Sequence, residues 1–267
     1  MSIKRKLGLL LSIILLAGAL AACGTSGNKD GANSSGGKTL TMATSADYRP
    51  FEYVETSTGD EIKGFDVDLA KLIAKKLGYT ITVKDMDFNG LVPALQNKQA
   101  DFVMAGMTPT PDRKKSVDFS DVYYTANHMI VAKKDSNIKT PQDLKGKTVG
   151  VQLASIQEGI ASDLVKKDKI SLKIEKRNRI PELVEEIKAG RFDAAIIEDT
   201  VAKGYLKGNK DLTGNVIKTA QNGAGSAIAF QKGSKLTDKF NKELKKLQDD
   251  GEVKKLVIKW FGDQASK

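Results

Sequence analysis

The chain has 267 residues, 40% of them hydrophobic and 28% charged, which is a globular composition with room for one large domain or two ordinary ones. Its formal charge is +10, but the lysines are scattered among acids with no RNA-binding aromatic motif or zinc-finger spacing, so we expect no nucleic-acid partner. The single cysteine and single histidine exclude an intrachain disulfide and a histidine-rich metal site.

The first 22 residues are predicted to be a secretory signal peptide. Three basic residues at positions 4–6 precede an apolar run at 7–22, and small residues end that run. The run is shorter than the roughly 20 residues that span a bilayer comfortably. The letters LAAC, which end at Cys23, resemble a bacterial lipobox, and this resemblance implies cleavage before Cys23 and its lipidation. The alternative is an ordinary signal peptide followed by an incidental cysteine.

Residues 23–38 are predicted to be the lipidated cysteine and a flexible tether. The stretch 24–37 is rich in Gly, Ser and Asn and lacks the apolar side chains that a core requires. A tether of this length has a root-mean-square reach of about 20 Å. We therefore expect the folded body to begin near residue 39 and to lie close to the outer face of the cell membrane.

The body alternates apolar runs of strand length with segments of helical periodicity. Predicted helices end at Gly78 and Gly190, and two C-terminal helices are separated near Gly251. The pattern predicts an α/β fold with mostly parallel sheets, and about 230 residues suit two domains. The predicted strands are 39–45, 80–86, 101–107, 128–134, 147–153, 172–178, 193–199 and 226–232.

Arg113 lies in the first turn of a short predicted helix. Thr110 can cap this helix and Pro111 suits its first position. A guanidinium beside free backbone N–H groups suits a carboxylate, because the guanidinium donates two parallel hydrogen bonds and the helix end attracts negative charge. The alternative is a solvated basic turn, since two lysines follow Arg113.

Two more patterns place polar groups at the carboxyl ends of predicted strands. Ser155 can cap a helix with Glu158 as its capping-box partner, which offers further N–H donors to an anion or is simply a capped helix. Glu198 and Asp199 end a buried strand, where α/β folds bind ligands, although they could also be ordinary loop acids.

The motifs of nucleotide-binding and hydrolytic enzymes are absent from the sequence. The GKT triplet at 146–148 is not a P-loop, because Pro141 stands where that loop requires glycine and a strand follows instead of a helix. There is no Gly-x-Ser-x-Gly motif, and the lone His128 is better explained as a structural residue than as a base. The motifs therefore indicate neither an enzyme nor a cofactor or metal site, and we expect none of these.

A series of motifs follows along the chain. They are the lipobox, the Gly/Ser tether, PFEY, GFDVDLAKLIAKKLG, GMTPTPDRKKSVDFSDVYY, KGKTVGVQLASIQE and GRFDAAIIED. Their order resembles the amino-acid-binding proteins of ABC importers, in the polar and basic amino-acid group, over residues 39–262. The run MTPTPDRKKSVDFSDVYYTANHMIVAKKDS most resembles the arginine-binding lipoproteins of Gram-positive bacteria.

The resemblance implies a two-lobed fold of the periplasmic-binding-protein type (type II), with a ligand cleft between lobes joined by two hinge strands. Mapped onto this chain, lobe 1 comprises residues 39–125 and 222–267, and lobe 2 comprises residues 129–218. The hinges then lie near 124–128 and 218–222.

The family's contacts to the ligand carboxylate carry over to four positions. Arg113 matches the arginine that binds the α-carboxylate, and Thr108 matches the hydroxyl residue beside it. Ser155 and Ile156 fall where lobe 2 offers helix N–H groups to the same carboxylate.

The remaining contacts concern the ammonium and the side chain of the ligand. Gly106 matches the backbone that meets the α-ammonium, and Glu198 matches the acid that holds it. Tyr48 and Phe88 match the pair of rings that sandwiches the side chain, and Gln157 matches a contact farther along the pocket.

The sequence departs from the family pattern at two places. The family's usual acid at the position of Glu198 is aspartate, so Asp199 is a rival for the ammonium. Binders of basic residues often carry an acid where this chain has Ser45, and Asp47 could compensate for that difference.

The resemblance implies a monomeric lipid-anchored protein that delivers a free amino acid, arginine first of all, to ABC permease subunits. Glutamine, histidine or lysine are the alternative ligands. An enzyme on the same scaffold, similar to a few known dehydratases, is the alternative of a different class.

Overall fold

The computed structural model describes residues 38–218 and 225–262. The predicted signal peptide, Cys23 and the tether up to residue 37 lie outside the described residues. The strands of the described part are β1 (Thr39–Thr44), β2 (Asp47–Tyr48), β3 (Glu52–Glu55), β4 (Glu61–Lys63), β5 (Thr80–Asp85), β6 (Phe102–Val103), β7 (Val117–Thr125), β8 (His128–Lys133), β9 (Thr148–Gln152), β10 (Lys173–Arg177), β11 (Ala194–Glu198), β12 (Leu212–Ile217) and β13 (Gly225–Gln231).

The helices begin and end close to their sequence signals. They are α1 (Phe65–Lys76), α2 (Leu91–Gln96), α3 (Pro111–Ser116), α4 (Ile156–Lys166), α5 (Ile180–Lys188), α6 (Asp199–Gly208), α7 (Lys235–Asp249) and α8 (Glu252–Phe261). Gly78, Gly190 and Gly251 have φ of +77°, +73° and +74°, the left-handed conformation that glycine adopts most easily. The predicted helix ends at these three glycines are confirmed.

Two five-stranded sheets form the body. The first has the order β5-β1-β6-β13-β7 and the second has the order β10-β9-β11-β8-β12. Short strands β2, β3 and β4 make a separate antiparallel sheet. Helices α1, α2 and α7 pack on the first sheet and α8 packs against α1 and α7, while α4, α5 and α6 pack on the second sheet. The predicted α/β class is therefore confirmed.

The expectation of mostly parallel sheets needs correction. Strand β13 runs antiparallel to β6 and β7, and β8 runs antiparallel to β11 and β12. The prediction missed β7 and β12 because β7 is a half-exposed strand with acids in it, and β12 contains Gly214 and Asn215, which are weak strand formers.

The chain passes from the first sheet to the second between Thr125 and His128, and returns between Ile217 and Gly225. The first predicted hinge spans the first of these passages. Most of the second predicted hinge, namely residues 219–222, lies outside the described residues. We propose that the predicted lobe 1 and lobe 2 are built on the first and second sheets, and we use these names below in that sense.

Candidate functional site

One cavity has walls from both lobes. The strands whose carboxyl ends lead to it are β1 and β6 in the first sheet and β9 and β11 in the second, which is where open α/β sheets bind ligands. Nine predicted site residues line it, namely Tyr48, Phe88, Gly106, Thr108, Arg113, Ser155, Ile156, Gln157 and Glu198. Residues that sequence reasoning did not place there also line it, namely Ala105, Ala126, His128, Gln152 and Ser226.

Arg113 enters the cavity from the first turn of α3. Thr110 caps this helix, since its hydroxyl accepts a hydrogen bond of 3.3 Å from the Arg113 N–H. The guanidinium donates to the carbonyl of Thr108 and, across the cleft, to the carbonyl of Ala154, both at 2.8 Å. Its carbon lies 5.2 Å from the centre of the Phe88 ring. In the described part of the chain, the groups that contact this cation are therefore all neutral.

The pKa of Arg113 reflects the partial burial of its guanidinium among neutral groups. Desolvation lowers the pKa of its guanidinium from 12.5 to about 10, while Tyr48 opposes the change. Among the described residues no carboxylate forms an ion pair with it. A half-buried cation of this kind stabilises an incoming anion, because the two partners remove each other's desolvation cost.

The amino end of α4 faces Arg113 from lobe 2. The Ser155 hydroxyl accepts from the Glu158 N–H at 3.3 Å and donates to the Gln152 carbonyl at 2.7 Å. The Glu158 carboxylate accepts from the N–H of Ala154, one residue before the position that a capping box requires. The N–H groups of a first helical turn have no intrahelical acceptor, so this end of α4 suits an anion.

Glu198 supplies the acidic group of the cavity. It ends β11 and caps α6, with Oε1 accepting from the Thr200 N–H at 3.0 Å. Its Oε2 atom is buried and has no hydrogen-bond partner among the residues that the structure describes. Burial raises the pKa of Glu198 to about 8, with Asp199 adding to the rise. A cationic ligand group beside Oε2 would satisfy that oxygen and hold the carboxylate in its ionised form.

Asp199, the rival for the ammonium, does not line the cavity. One of its carboxylate oxygens accepts from the Asn127 N–H at 3.1 Å, and the other pairs with Lys203 at 2.8 Å. Both oxygens are therefore engaged elsewhere, and the geometry favours Glu198 over Asp199 as the acid of the site.

Tyr48 and Gly106 form a tightly packed wall. Gly106 has a φ of +55°, and a Cβ atom at this position would lie 2.9 Å from Cε1 of Tyr48. Only glycine fits between this ring and the backbone that faces the cavity. Phe88 lies on the same cavity, and the sandwich of a ligand side chain between Tyr48 and Phe88 stays a prediction.

His128 lines the cavity, whereas the sequence pointed only to a structural residue at a hinge. It is 2% exposed, and its Nδ1 atom lies 3.4 Å from Nε2 of Gln157. The register of β8 against β11 sets His128 opposite Glu198. Gln152 could have been found from sequence, because it lies near the end of the predicted strand 147–153, three residues before the capping Ser155.

Ser45 and Asp47 do not line the cavity, and the expectation that they do was wrong. Ser45 is 1% exposed and donates to Oδ1 of Asp47 at 2.9 Å. The other oxygen of Asp47 accepts from the Ile180 N–H of lobe 2 at 2.6 Å. Burial raises the pKa of Asp47 to about 6. Asp47 thus joins the two lobes instead of facing a ligand.

A cluster of charged residues lies beside Asp47, and no local pattern in the sequence predicted it. Arg179 of lobe 2 donates two hydrogen bonds to Asp85, at 2.8 and 3.1 Å, and one to Asp87 at 2.8 Å. Asn178 also donates to Asp87 at 2.9 Å, and Asp47 lies 3.8 Å from the guanidinium. We call Arg179, Asp85, Asp87 and Asp47 the Arg179 cluster.

Fold and site together define a two-lobed receptor for a small solute. The chain belongs to the bacterial extracellular solute-binding proteins, family 3, whose model matches residues 40–263. It is therefore a solute-binding protein and not an enzyme, and the predicted resemblance is confirmed. No helix in the described part of the chain is long and apolar enough to cross a membrane.

Individual relatives are similar to this chain in sequence and in structure. The chain is 61% identical to the arginine-binding extracellular protein ArtP of Bacillus subtilis over 95% of this chain and 96% of that protein. An ancestral arginine-binding protein bound to arginine is 41% identical over 84% of this chain and 98% of its own, with a TM-score of 0.78. The ancestral arginine-binding protein bound to glutamine matches with a TM-score of 0.77 at 41% identity, over 84% of this chain and 98% of its own.

Proposed function

We propose that this protein captures a free amino acid between its lobes and delivers it to an ABC importer. The observation that carries the proposal is one cavity that holds the Arg113 guanidinium and the Glu198 carboxyl, neither of which forms an ion pair with any of the described residues. An amino acid at neutral pH is a zwitterion whose two charges are costly to bury unless each meets a partner. Its α-carboxylate matches Arg113 and the amino end of α4, and its α-ammonium matches Glu198.

Arginine is the ligand that we favour. The similarity to ArtP supports it, since that protein is named for arginine binding. A flat guanidinium also suits a slot between Tyr48 and Phe88, where the faces of the rings attract cations. Glutamine, histidine and lysine remain the alternative ligands, and glutamine is present in the structure of an ancestral arginine-binding protein.

Ligand binding drives the lobes together. Arg113, Thr108 and Gly106 belong to lobe 1, while Ser155 and Glu198 belong to lobe 2, so a ligand meets all its partners only when the cleft is closed. Its affinity for the closed form shifts the population of the two forms toward closure, by a hinge motion at the two passages between the sheets.

The closed, loaded protein then docks on the permease subunits. Lipidation at Cys23 and the tether of residues 24–37 would keep the monomeric receptor at the extracellular face of the membrane, within about 20 Å of its anchor. Mass spectrometry of the mature protein tests the anchor, and an unmodified or absent Cys23 would reject it.

A panel of free amino acids read by thermal shift tests the proposed ligand. We expect arginine to raise the melting temperature most, followed by lysine, glutamine and histidine, because a ligand that binds only the folded state stabilises it in proportion to the logarithm of its concentration over Kd. A larger shift with glutamine would overturn the choice of arginine. The absence of a shift with every amino acid would overturn the proposed function itself.

A further inference from the structure

Ala154 has an unusual backbone conformation at the point where β9 leads into α4. Its φ of +62° lies in the left-handed region, which a residue with a Cβ atom adopts at an energetic cost. The Ser155 N–H donates to the carbonyl of Gln152 at 3.2 Å, so Ala154 is the third residue of a tight turn. Turns with a positive φ at the third residue usually carry glycine or asparagine there. Contacts around the turn must therefore hold Ala154 in this conformation.

Glu158 holds the turn from the side of α4. Its Oε2 atom accepts a hydrogen bond from the Ala154 N–H at 2.8 Å. Its Oε1 atom pairs with the ammonium of Lys176 at 2.6 Å, and Lys176 lies on β10, the neighbour of β9 in the second sheet. The Leu153 N–H also donates to the carbonyl of Arg177 on β10 at 2.9 Å. The turn is thus fixed to both α4 and β10.

The carbonyl of Ala154 makes a contact across the cleft. It accepts from Nη2 of Arg113 at 2.8 Å, while Nη1 of Arg113 donates to the carbonyl of Thr108 inside lobe 1 at 2.8 Å. A guanidinium carries five N–H groups in one plane, so these two bonds restrict the orientation of the plane and leave three N–H groups for a ligand. A carboxylate that binds bidentately needs two of them.

We propose that Glu158 is a positioning residue for ligand recognition. Its carboxylate holds Ala154 in the left-handed conformation, and the Ala154 carbonyl then orients the Arg113 guanidinium toward the α-carboxylate of the ligand. Neither Glu158 nor Ala154 touches the ligand. Arg113 belongs to lobe 1 and Ala154 to lobe 2, so the anion site is completed as the lobes close. This inference rests on the proposed function, because it assumes a ligand carboxylate that Arg113 binds.

A double-mutant cycle between Glu158 and Arg113 tests this role, with calorimetric titration for strong binding and thermal shift at millimolar arginine for weak binding. Glu158→Leu should lower arginine affinity about tenfold, because Arg113 loses its orientation. In the Arg113→Ala background the same change should cost less than about twofold, since the cation that Glu158 positions is absent. An equal loss in both backgrounds, or no loss in either, would overturn the inference, because a merely structural role does not depend on Arg113.

Two further variants separate positioning from general stability. Glu158→Gln keeps an oxygen that can accept from the Ala154 N–H, and it should recover most of the arginine affinity; affinity as low as that of Glu158→Leu would contradict the role of this bond. Asp143→Leu is the matched control, because Asp143 of lobe 2 also accepts backbone N–H groups, from Lys139 at 3.0 Å and Thr140 at 2.8 Å. It should leave arginine affinity unchanged, and a tenfold loss there would also count against the inference.

If Glu158→Leu fails to fold by circular dichroism, Ala154 carries the comparison. Ala154→Gly keeps the carbonyl and adopts the same φ without strain, so it should bind arginine within about twofold of wild type. Ala154→Val disfavours this conformation, because a β-branched residue rarely has a positive φ, and it should bind about tenfold more weakly than Ala154→Gly. Equal affinities of these two variants would reject the inference. A wild-type protein that binds no arginine would instead reject the proposed function.

Discussion

The two lobes meet at two charged regions that are built in opposite ways. In the Arg179 cluster, the guanidinium donates three hydrogen bonds to carboxylates of the other lobe, and the charges are matched within the protein. In the cavity, and within the described ranges 38–218 and 225–262, Arg113 has only carbonyl acceptors and Glu198 has a buried oxygen without a partner. The first region stabilises closure by itself, whereas the second favours closure only when a ligand brings the missing charges.

Removal of Arg113 should produce the largest effect. Arg113→Ala leaves the ligand carboxylate without its counter-ion, and we expect arginine affinity to fall at least about thirtyfold, since losing one partner of a buried charge pair costs about 2–5 kcal/mol. Calorimetric titration measures the loss. Lys115→Ala on the same helix is the control, because Lys115 is exposed and pairs with Asp112. Near-normal arginine affinity in a folded Arg113→Ala variant would show that the ligand does not bind through the charge of Arg113.

Glu198 should give the next largest effect and a dependence on pH. The carboxyl must be ionised to bind the ammonium, but its pKa of about 8 leaves it mostly protonated at pH 7, so binding releases a proton. Arginine affinity should therefore rise as the pH rises, by about fivefold between pH 7 and 8. Glu198→Gln should bind about tenfold or more weakly and show no rise over this range. A wild-type affinity that falls with pH would contradict this assignment.

Replacement of Arg179 should have a smaller effect on arginine affinity. It should act through the closure of the lobes and not through direct recognition of the ligand. Arg179→Ala removes the cation of the Arg179 cluster, and we expect about a tenfold loss of arginine affinity, because partly exposed ion pairs contribute about 1 kcal/mol each. Small-angle scattering should show a larger radius of gyration without ligand. Arg177→Ala is the matched control, since Arg177 pairs with Glu186 inside lobe 2. Equal scattering from both variants would argue against a role in closure.

Replacement of Ser155 should have the smallest effect on arginine affinity. Ser155→Ala removes the cap of α4 and should lower the free energy of unfolding by about 1 kcal/mol, with a loss of arginine affinity of a few fold. Chemical denaturation measures the first quantity. The conservative variant Ser155→Thr should recover most of the stability, and if it does not, the hydroxyl is not the relevant group.

The sequence predicted those parts of the molecule that local patterns encode. Runs of buried apolar residues marked β1, β8, β9 and β11, and the capping residues Thr110 and Ser155 marked the two helix ends that face the cavity. Nine of the eleven candidate ligand-binding residues line one cavity, although their contacts to a ligand stay predictions.

The remaining features depend on contacts between distant parts of the chain. Arg179 and Asp85 are 94 residues apart, and no local pattern marks either one. The choice between Glu198 and Asp199 also required the three-dimensional structure, since adjacent residues at the end of a strand point in different directions. Asp47 was misassigned for the same reason, because its partner Ile180 is 133 residues away.

Calorimetric titration of the wild-type protein with arginine and with its two single-ended analogues tests the central claim most directly. Agmatine lacks the α-carboxylate and 5-guanidinopentanoic acid lacks the α-ammonium, so each leaves one cavity charge without a partner. We expect both to bind at least about a hundredfold more weakly than arginine. If either analogue binds as tightly as arginine, the two unmatched charges of the cavity are not the basis of recognition.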